Sequence, residues 1–213
     1  MGSGGQATEA LFDITGAPSE WIDLKEADNR TKLFDMMIEA DKLNYIMNAS
    51  TKGQGETKNS LGIIAGHAYT LMSAHKLSNG DKIFRLRNPW GKGEWKGSYS
   101  DDSQAWNDKL KKEVEWSSGE DGSFYMKVDD FLTHFISASI CHYRDDYIRS
   151  CIADQNEDSL LACYQFSLET EGEYYFGVSQ AHKNMFPEGH VYGMLSIMVA
   201  KVTDDGKFEY MGG

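Results

Sequence analysis

The chain has 213 residues, a net charge of −12 and three cysteines. With 40% hydrophobic and 25% charged residues it reads as an ordinary globular protein, long enough for one large domain or two small ones. So acidic a balance argues against sequence-independent binding to nucleic acid or anionic membranes, which needs clustered Lys and Arg, and favours cation binding where carboxylates converge.

Cys141, Cys151 and Cys163 are too sparse and too odd in number for a disulfide framework, which points to a reducing, cytoplasmic setting. No apolar run approaches 18 residues, so no transmembrane segment is expected. The Gly-rich opening reads as the cut edge of a longer protein or as a disordered native terminus. Asn29-Arg-Thr and Asn48-Ala-Ser match the glycosylation triplet, by chance if the chain is cytosolic.

Trp21 to Leu24, after a turn at Gly16 to Pro18, is a candidate strand. Asp28 and Asn29 offer caps for a helix over 31–42, with Leu33, Phe34, Met37 and Ile38 on one face. Asn44 to Met47 reads as a brief strand and 50–60 as a mobile surface loop. A long β candidate runs over 63–77, with His67 near its start. Ser78-Asn79-Gly80-Asp81 is a strong turn signal, and Lys82 to Arg87 is the return strand. Asn88 precedes Pro89, so its backbone is biased to be extended at the strand's end. The 91–118 region is irregular and aromatic, with a short helix expected over 106–114. A strand over 123–128, a helix capped by Asp129 or Asp130 through Phe135, and a closing strand over 139–143 follow. Beyond these, 154–158 is polar, and runs at 163–168, 174–180 and 192–202 read as strands with turns at Glu171-Gly172 and Asp205-Gly206. Three or four strands do not close a sandwich, so this last unit reads as part of one.

A hairpin over 63–87 brings His67 beside Asn88, 21 residues later. An imidazole whose tautomer is fixed by an amide oxygen is the general-base half of a cysteine protease site. A lone strand histidine is more commonly structural. The run Arg87-Asn88-Pro89-Trp90-Gly91 favours the catalytic reading, because an indole beside the Asn shields its hydrogen bond from water.

Four blocks carry a resemblance: Gly66-His67-Ala68-Tyr69, Arg85 to Gly91, Glu94-Trp95-x-Gly97-x-x-Ser100-Asp101, and Glu120-Asp121-Gly122-x-Phe124-x-Met126. In order and spacing they resemble the second half of the calpain protease core, over roughly residues 10 to 143. Papain relatives carry Asn-Ser-Trp-Gly where this chain has Asn88-Pro89-Trp90-Gly91. The run from Phe166 to Val202 is similar, more weakly, to the start of the β-sandwich that follows that core.

The resemblance implies an α+β protein. Residues 1–145 would be a papain-like, antiparallel, β-rich subdomain, 146–158 an acidic linker, and 159–213 part of an all-β sandwich. It implies His67 as catalytic base, Asn88 as its orienter, Trp90 as shielding ring, and the Gly66 main chain as cleft lining. It also implies protein substrates and a calcium ion held by Glu94, Asp101, Asp121 and the Gly119 carbonyl; the alternative is that these are solvated surface acids. Where the family has a Glu two residues after the last Asp, this chain has Ser123, which weakens the site or leaves more water on the ion. The family's nucleophile lies upstream of its His in a Gln-x-x-x-Cys-Trp context, and no Cys precedes His67. Either a Cys-bearing subdomain is missing from this chain, or the chain is a non-catalytic, calcium-binding relative. The acidic run from Asp154 lacks the Gly and Glu an EF-hand needs.

Overall fold

The computed structural model describes residues 5–53, 55–150, 152, 164–178, 187–189, 191 and 196–212. The chain divides into two compact units, 1–151 and 152–213.

The first unit is built on a six-stranded antiparallel sheet in the order β1-β6-β2-β3-β4-β5. Its strands are β1 (Ser19–Asp23), β2 (Ile46–Thr51), β3 (Ala68–Lys76), β4 (Lys82–Arg87), β5 (Ser123–Lys127) and β6 (Phe135–Cys141). Helices α1 (Ala7–Thr15), α2 (Ala27–Lys42), α3 (Asp108–Glu113) and α4 (Val128–His134) complete it. Mixed helices and strands make the α+β class expected from the sequence.

Helix α2 buries Leu33, Phe34, Met37 and Ala40, a stripe at helical spacing. That stripe meets the alternate buried residues Met47 and Ala49 of β2 and Tyr69 and Leu71 of β3 in one core. Phe34 stacks on Phe84 at 6.0 Å, and Phe131 of α4 meets Phe84 edge-on at 5.0 Å. A second cluster of Leu77, Ile83, Tyr99, Trp106, Leu110, Val114 and Tyr125 underlies the irregular 91–118 region. Its aromatic residues are packing, as their edge-to-face contacts show.

Several boundaries differ from the sequence reading. Helix α2 starts at Ala27, and neither Asp28 nor Asn29 caps it; Asn29 Nδ2 donates instead to the Asp23 carbonyl at 2.8 Å. Strands β2 and β6 are longer than expected because each is paired on both sides. Asp129 and Asp130 lie in the first turn of α4 rather than capping it. Helix α1, which has no buried residue, was not anticipated.

In the second unit β7 (Val199–Val202) and β8 (Phe208–Gly212) form an antiparallel hairpin through the Asp205-Gly206 turn. The described residues 164–168 and 174–178 are not in strands, contrary to expectation. Aromatic and aliphatic residues alone do not make a strand, which also needs a paired edge. Residues 154–158, Cys151, Cys163 and parts of the other expected strands lie outside the described residues.

Candidate active site

Strand β3 begins one residue after His67, and β4 ends one residue before Asn88. Antiparallel pairing, with Thr70 opposite Arg87, puts the start of one strand beside the end of the other. His67 Nε2 lies 2.9 Å from Asn88 Oδ1. Both are buried, Asn88 completely.

The Asn88 amide is fixed from all sides. Its Nδ2 donates to the carbonyls of Lys92 at 2.8 Å and Gly93 at 3.3 Å. The Trp90 main-chain N–H donates to Oδ1 at 3.1 Å. The amide oxygen therefore faces the imidazole, and Nε2 is the donor in that bond. The other ring nitrogen, Nδ1, faces the opposite way, toward Glu56.

His67 is held by its main chain too. Its N–H donates to Thr51 Oγ1 at 3.0 Å, while that hydroxyl donates to the Ile64 carbonyl at 2.6 Å. The edge of Tyr69 packs on the imidazole at 5.1 Å, and the Trp90 ring lies over it at 4.5 Å. Trp90 is still about half exposed, so it covers the ring without sealing it. Gly66 is exposed, with φ +60°, and its N–H donates to the Lys52 carbonyl at 3.1 Å. A recess of about 240 Å³ lined by Thr51, Lys52, Lys58, Ile63 and His134 does not include the His67 ring.

The four residues expected to hold calcium gather at one loop junction. Glu94 Oε1 accepts the Gly122 N–H at 2.9 Å, and Asp101 Oδ2 accepts the Gly119 N–H at 3.2 Å. The Gly119 carbonyl accepts the Asp121 N–H at 2.8 Å, and Asp121 Oδ1 accepts the Ser123 N–H at 2.7 Å. Burial pushes the Glu94 carboxyl up from the usual range, and repulsion from Asp101 and Asp121 adds to this. Burial likewise pushes Asp101 up, with Asp102 and Asp121 adding, whereas the Ser123 amide holds Asp121 down. Hard oxygen donors that repel one another suit a divalent cation by chemistry. As placed, however, they engage backbone amides, and among the described residues no group of three or more acidic, His or Cys side chains forms a metal cage.

Thr51, Glu56 and the carbonyls of Lys92 and Gly93 escaped the sequence reading. Main-chain acceptors carry no sequence signal, and a threonine at a strand end is ordinary. Cys141 is fully buried in β6, the setting of a small packed side chain rather than of a reactive thiol.

A profile of the calpain family of cysteine proteases matches residues 2–142. Human calpain-14 is 39% identical over 142 residues, covering 64% of this chain and 20% of its own length. Calpain-B of Drosophila melanogaster is 33% identical over 216 aligned positions, covering 95% of this chain and 23% of its own length. The rat calpain-1 catalytic subunit is 34% identical over 157 residues, 70% of this chain and 22% of its own. The chain thus spans about a fifth to a quarter of the length of these relatives.

Proposed function

The chain belongs to the calpain family of cysteine proteases, and from that premise we propose that it carries the general-base half of a calcium-dependent endopeptidase. The observation that carries this reading is the 2.9 Å contact between His67 Nε2 and an Asn88 amide whose orientation its neighbours fix. We read residues 1–145 as the His/Asn subdomain, 146–158 as linker and 159–213 as part of the following sandwich.

In this reading a thiolate supplied by a Cys-bearing subdomain attacks the scissile carbonyl carbon of a protein substrate. His67, protonated on Nδ1 and held by Asn88, gives that proton to the leaving amine as the C–N bond breaks. It then takes a proton from the water that hydrolyses the thioester. Trp90 covers the His67–Asn88 pair and keeps competing water away. The exposed main chain at Gly66 lies next to His67 and would line the substrate path. Calcium would be held by Glu94, Asp101, Asp121 and the Gly119 carbonyl, where it would relieve their repulsion and order the loop. The scarcity of cysteines supports a cytoplasmic parent, and among the described residues no helix is long and apolar enough to cross a membrane.

The second reading, a non-catalytic calcium-binding module, draws on the acidic junction of Glu94, Asp101 and Asp121, where the carboxylates gather around the Gly119–Ser123 loop. The two are separated by adding, in trans, a calpain subdomain that bears the Gln-x-x-x-Cys-Trp motif. The enzyme reading expects peptide cleavage in the mixture with calcium, lost on His67→Ala, and none by the chain alone. A complex that forms and stays inactive supports the module; turnover by the chain alone that His67→Ala abolishes overturns the two-part site. Calorimetry with calcium, with and without Asp121→Ala, tests the ion site, and unchanged heats remove it.

A further inference from the structure

The second nitrogen of the His67 ring is not free. Glu56 Oε1 lies 3.5 Å from Nδ1. Because the fixed Asn88 oxygen makes Nε2 a donor, Nδ1 is the nitrogen a thiolate must approach. A carboxylate already stands there, with the negative charge a thiolate would bring. Acceptors therefore flank both ring nitrogens, Asn88 Oδ1 on one side and Glu56 Oε1 on the other.

Glu56 reaches this place through an unusual backbone. Its φ is +48°, in the left-handed region that non-glycine residues avoid, and it follows Gly55 at φ +82°. Its side chain is 59% exposed, while the imidazole it faces is 7% exposed. An exposed carboxylate on a bent segment can be drawn away from Nδ1 at little cost, whereas the buried ring stays on Asn88.

We propose that Glu56 is a positioning residue that occupies Nδ1 of His67 in the place of the nucleophile's thiolate, and yields that nitrogen when the thiolate arrives. This rests on reading His67 as the general base. It adds a competitor for the nucleophile's position, so the site is held assembled and also kept closed.

The test uses the full chain and needs no turnover, so its failure is distinct from failure of the protease reading. Diethyl pyrocarbonate modification is followed residue by residue by mass spectrometry, with the other five of the six histidines as internal references. Glu56→Gln and Glu56→Ala are expected to speed modification of His67 by about two- to fivefold, the size of a weak, partly exposed polar contact, and to leave His75 and His134 unchanged. Glu56→Asp, which keeps the carboxylate, is expected to restore part of the protection. An unchanged His67 rate in both Gln and Ala variants overturns the proposal. A uniform rise across all six histidines overturns it too, since Glu56 would then hold the fold and not the ring.

Discussion

Gly122 and Asn88 are locked together through the main chain. The Asn88 N–H donates to the Gly122 carbonyl at 2.8 Å, and a Cβ on Gly122 would lie 2.8 Å from the Asn88 carbonyl oxygen and 3.0 Å from the Lys92 nitrogen. Gly122 also has φ +83° and gives its N–H to Glu94. One glycine thus joins the acidic junction to the residue that orients His67. Gly122→Ala meets backbone atoms, which cannot swing aside, in a conformation alanine resists. A loss of about 1–3 kcal/mol is expected from the dihedral strain alone. Gly119→Ala is the control, because nothing lies within 4 Å of the added carbon and its φ is ordinary. Urea unfolding followed by tryptophan fluorescence compares them; equal midpoints would mean the close approach is not a constraint.

Asn88→Ala removes the Oδ1 acceptor and the Nδ2 donor at a completely buried position. About 2–3 kcal/mol of stability should go with the unpaired partners. Asn88→Asp is the sharper case. Its second oxygen would face the Lys92 and Gly93 carbonyls, acceptor against acceptor, so the ionised form is penalised in the folded state. A carboxyl with a raised folded pKa favours folding below its unfolded pKa and loses that advantage as pH rises through the folded value. The Asp variant should therefore regain stability as pH falls, while the Ala variant should not. Parallel pH series of unfolding midpoints for the two variants decide this.

Much of this was readable from residue order, for reasons that differ by element. The β3–β4 hairpin was legible because Asn79-Gly80 fixes the turn, and antiparallel pairing then sets His67 beside Asn88. Strand β4 falls where its residues alternate, Lys82 to Arg87. Helix α2 was legible as a stripe, but not its start, since its N-terminus uses no side-chain cap. Helix α1 has an amphipathic sequence but was missed, because no capping side chain marks its start at Gln6 and none of its residues is fully buried. The clamp on His67 by Thr51 and the reach of Glu56 to Nδ1 depend on how a loop folds back, which no periodicity encodes.

The acidic junction makes a prediction with a definite sign. Glu94 is pushed up chiefly by burial and further by Asp101 and Asp121, so its proton is bound more tightly in the folded chain. The stability this supplies is present below the unfolded pKa and is lost as pH rises through the folded one. At neutral pH the ionised Glu94 is thus a burden on the calcium-free fold. Glu94→Gln keeps an oxygen for the Gly122 N–H and removes the charge, so it should raise the melting temperature in chelator. That gain should shrink as pH falls through the carboxylate range. Calcium should stabilise the native sequence and have much less effect on Glu94→Gln. Thermal melts with calcium or chelator, across pH, check all three; a lower melting temperature for Glu94→Gln in chelator would contradict the repulsion argument.

At the far end of the hairpin, Tyr99 fastens the irregular acidic segment to the β3–β4 turn. It is 1% exposed, and its hydroxyl donates to Asp81 Oδ2 at 2.6 Å and accepts from Asn79 Nδ2 at 3.0 Å. Tyr99 itself sits at φ +65°, so this anchor holds a backbone that would otherwise relax. The Tyr99 hydroxyl, more than the Lys127 ammonium, holds the Asp81 carboxyl below its usual range. A depressed folded pKa supplies stability above the unfolded pKa, and that stability is lost as pH falls through the folded value. Tyr99→Phe keeps the ring packed on Trp106 and removes only the hydroxyl. It should cost about 1–2 kcal/mol at neutral pH, in line with a hydrogen bond to a charged group that water partly reaches. The gap between Tyr99→Phe and the native sequence should then narrow in acid, as Asp81 takes up its proton and the native sequence loses the charged bond that the variant already lacks. Urea midpoints at a series of pH values measure that gap directly. A gap that stays constant down to acid would assign the loss to packing around the ring and not to the bond with Asp81.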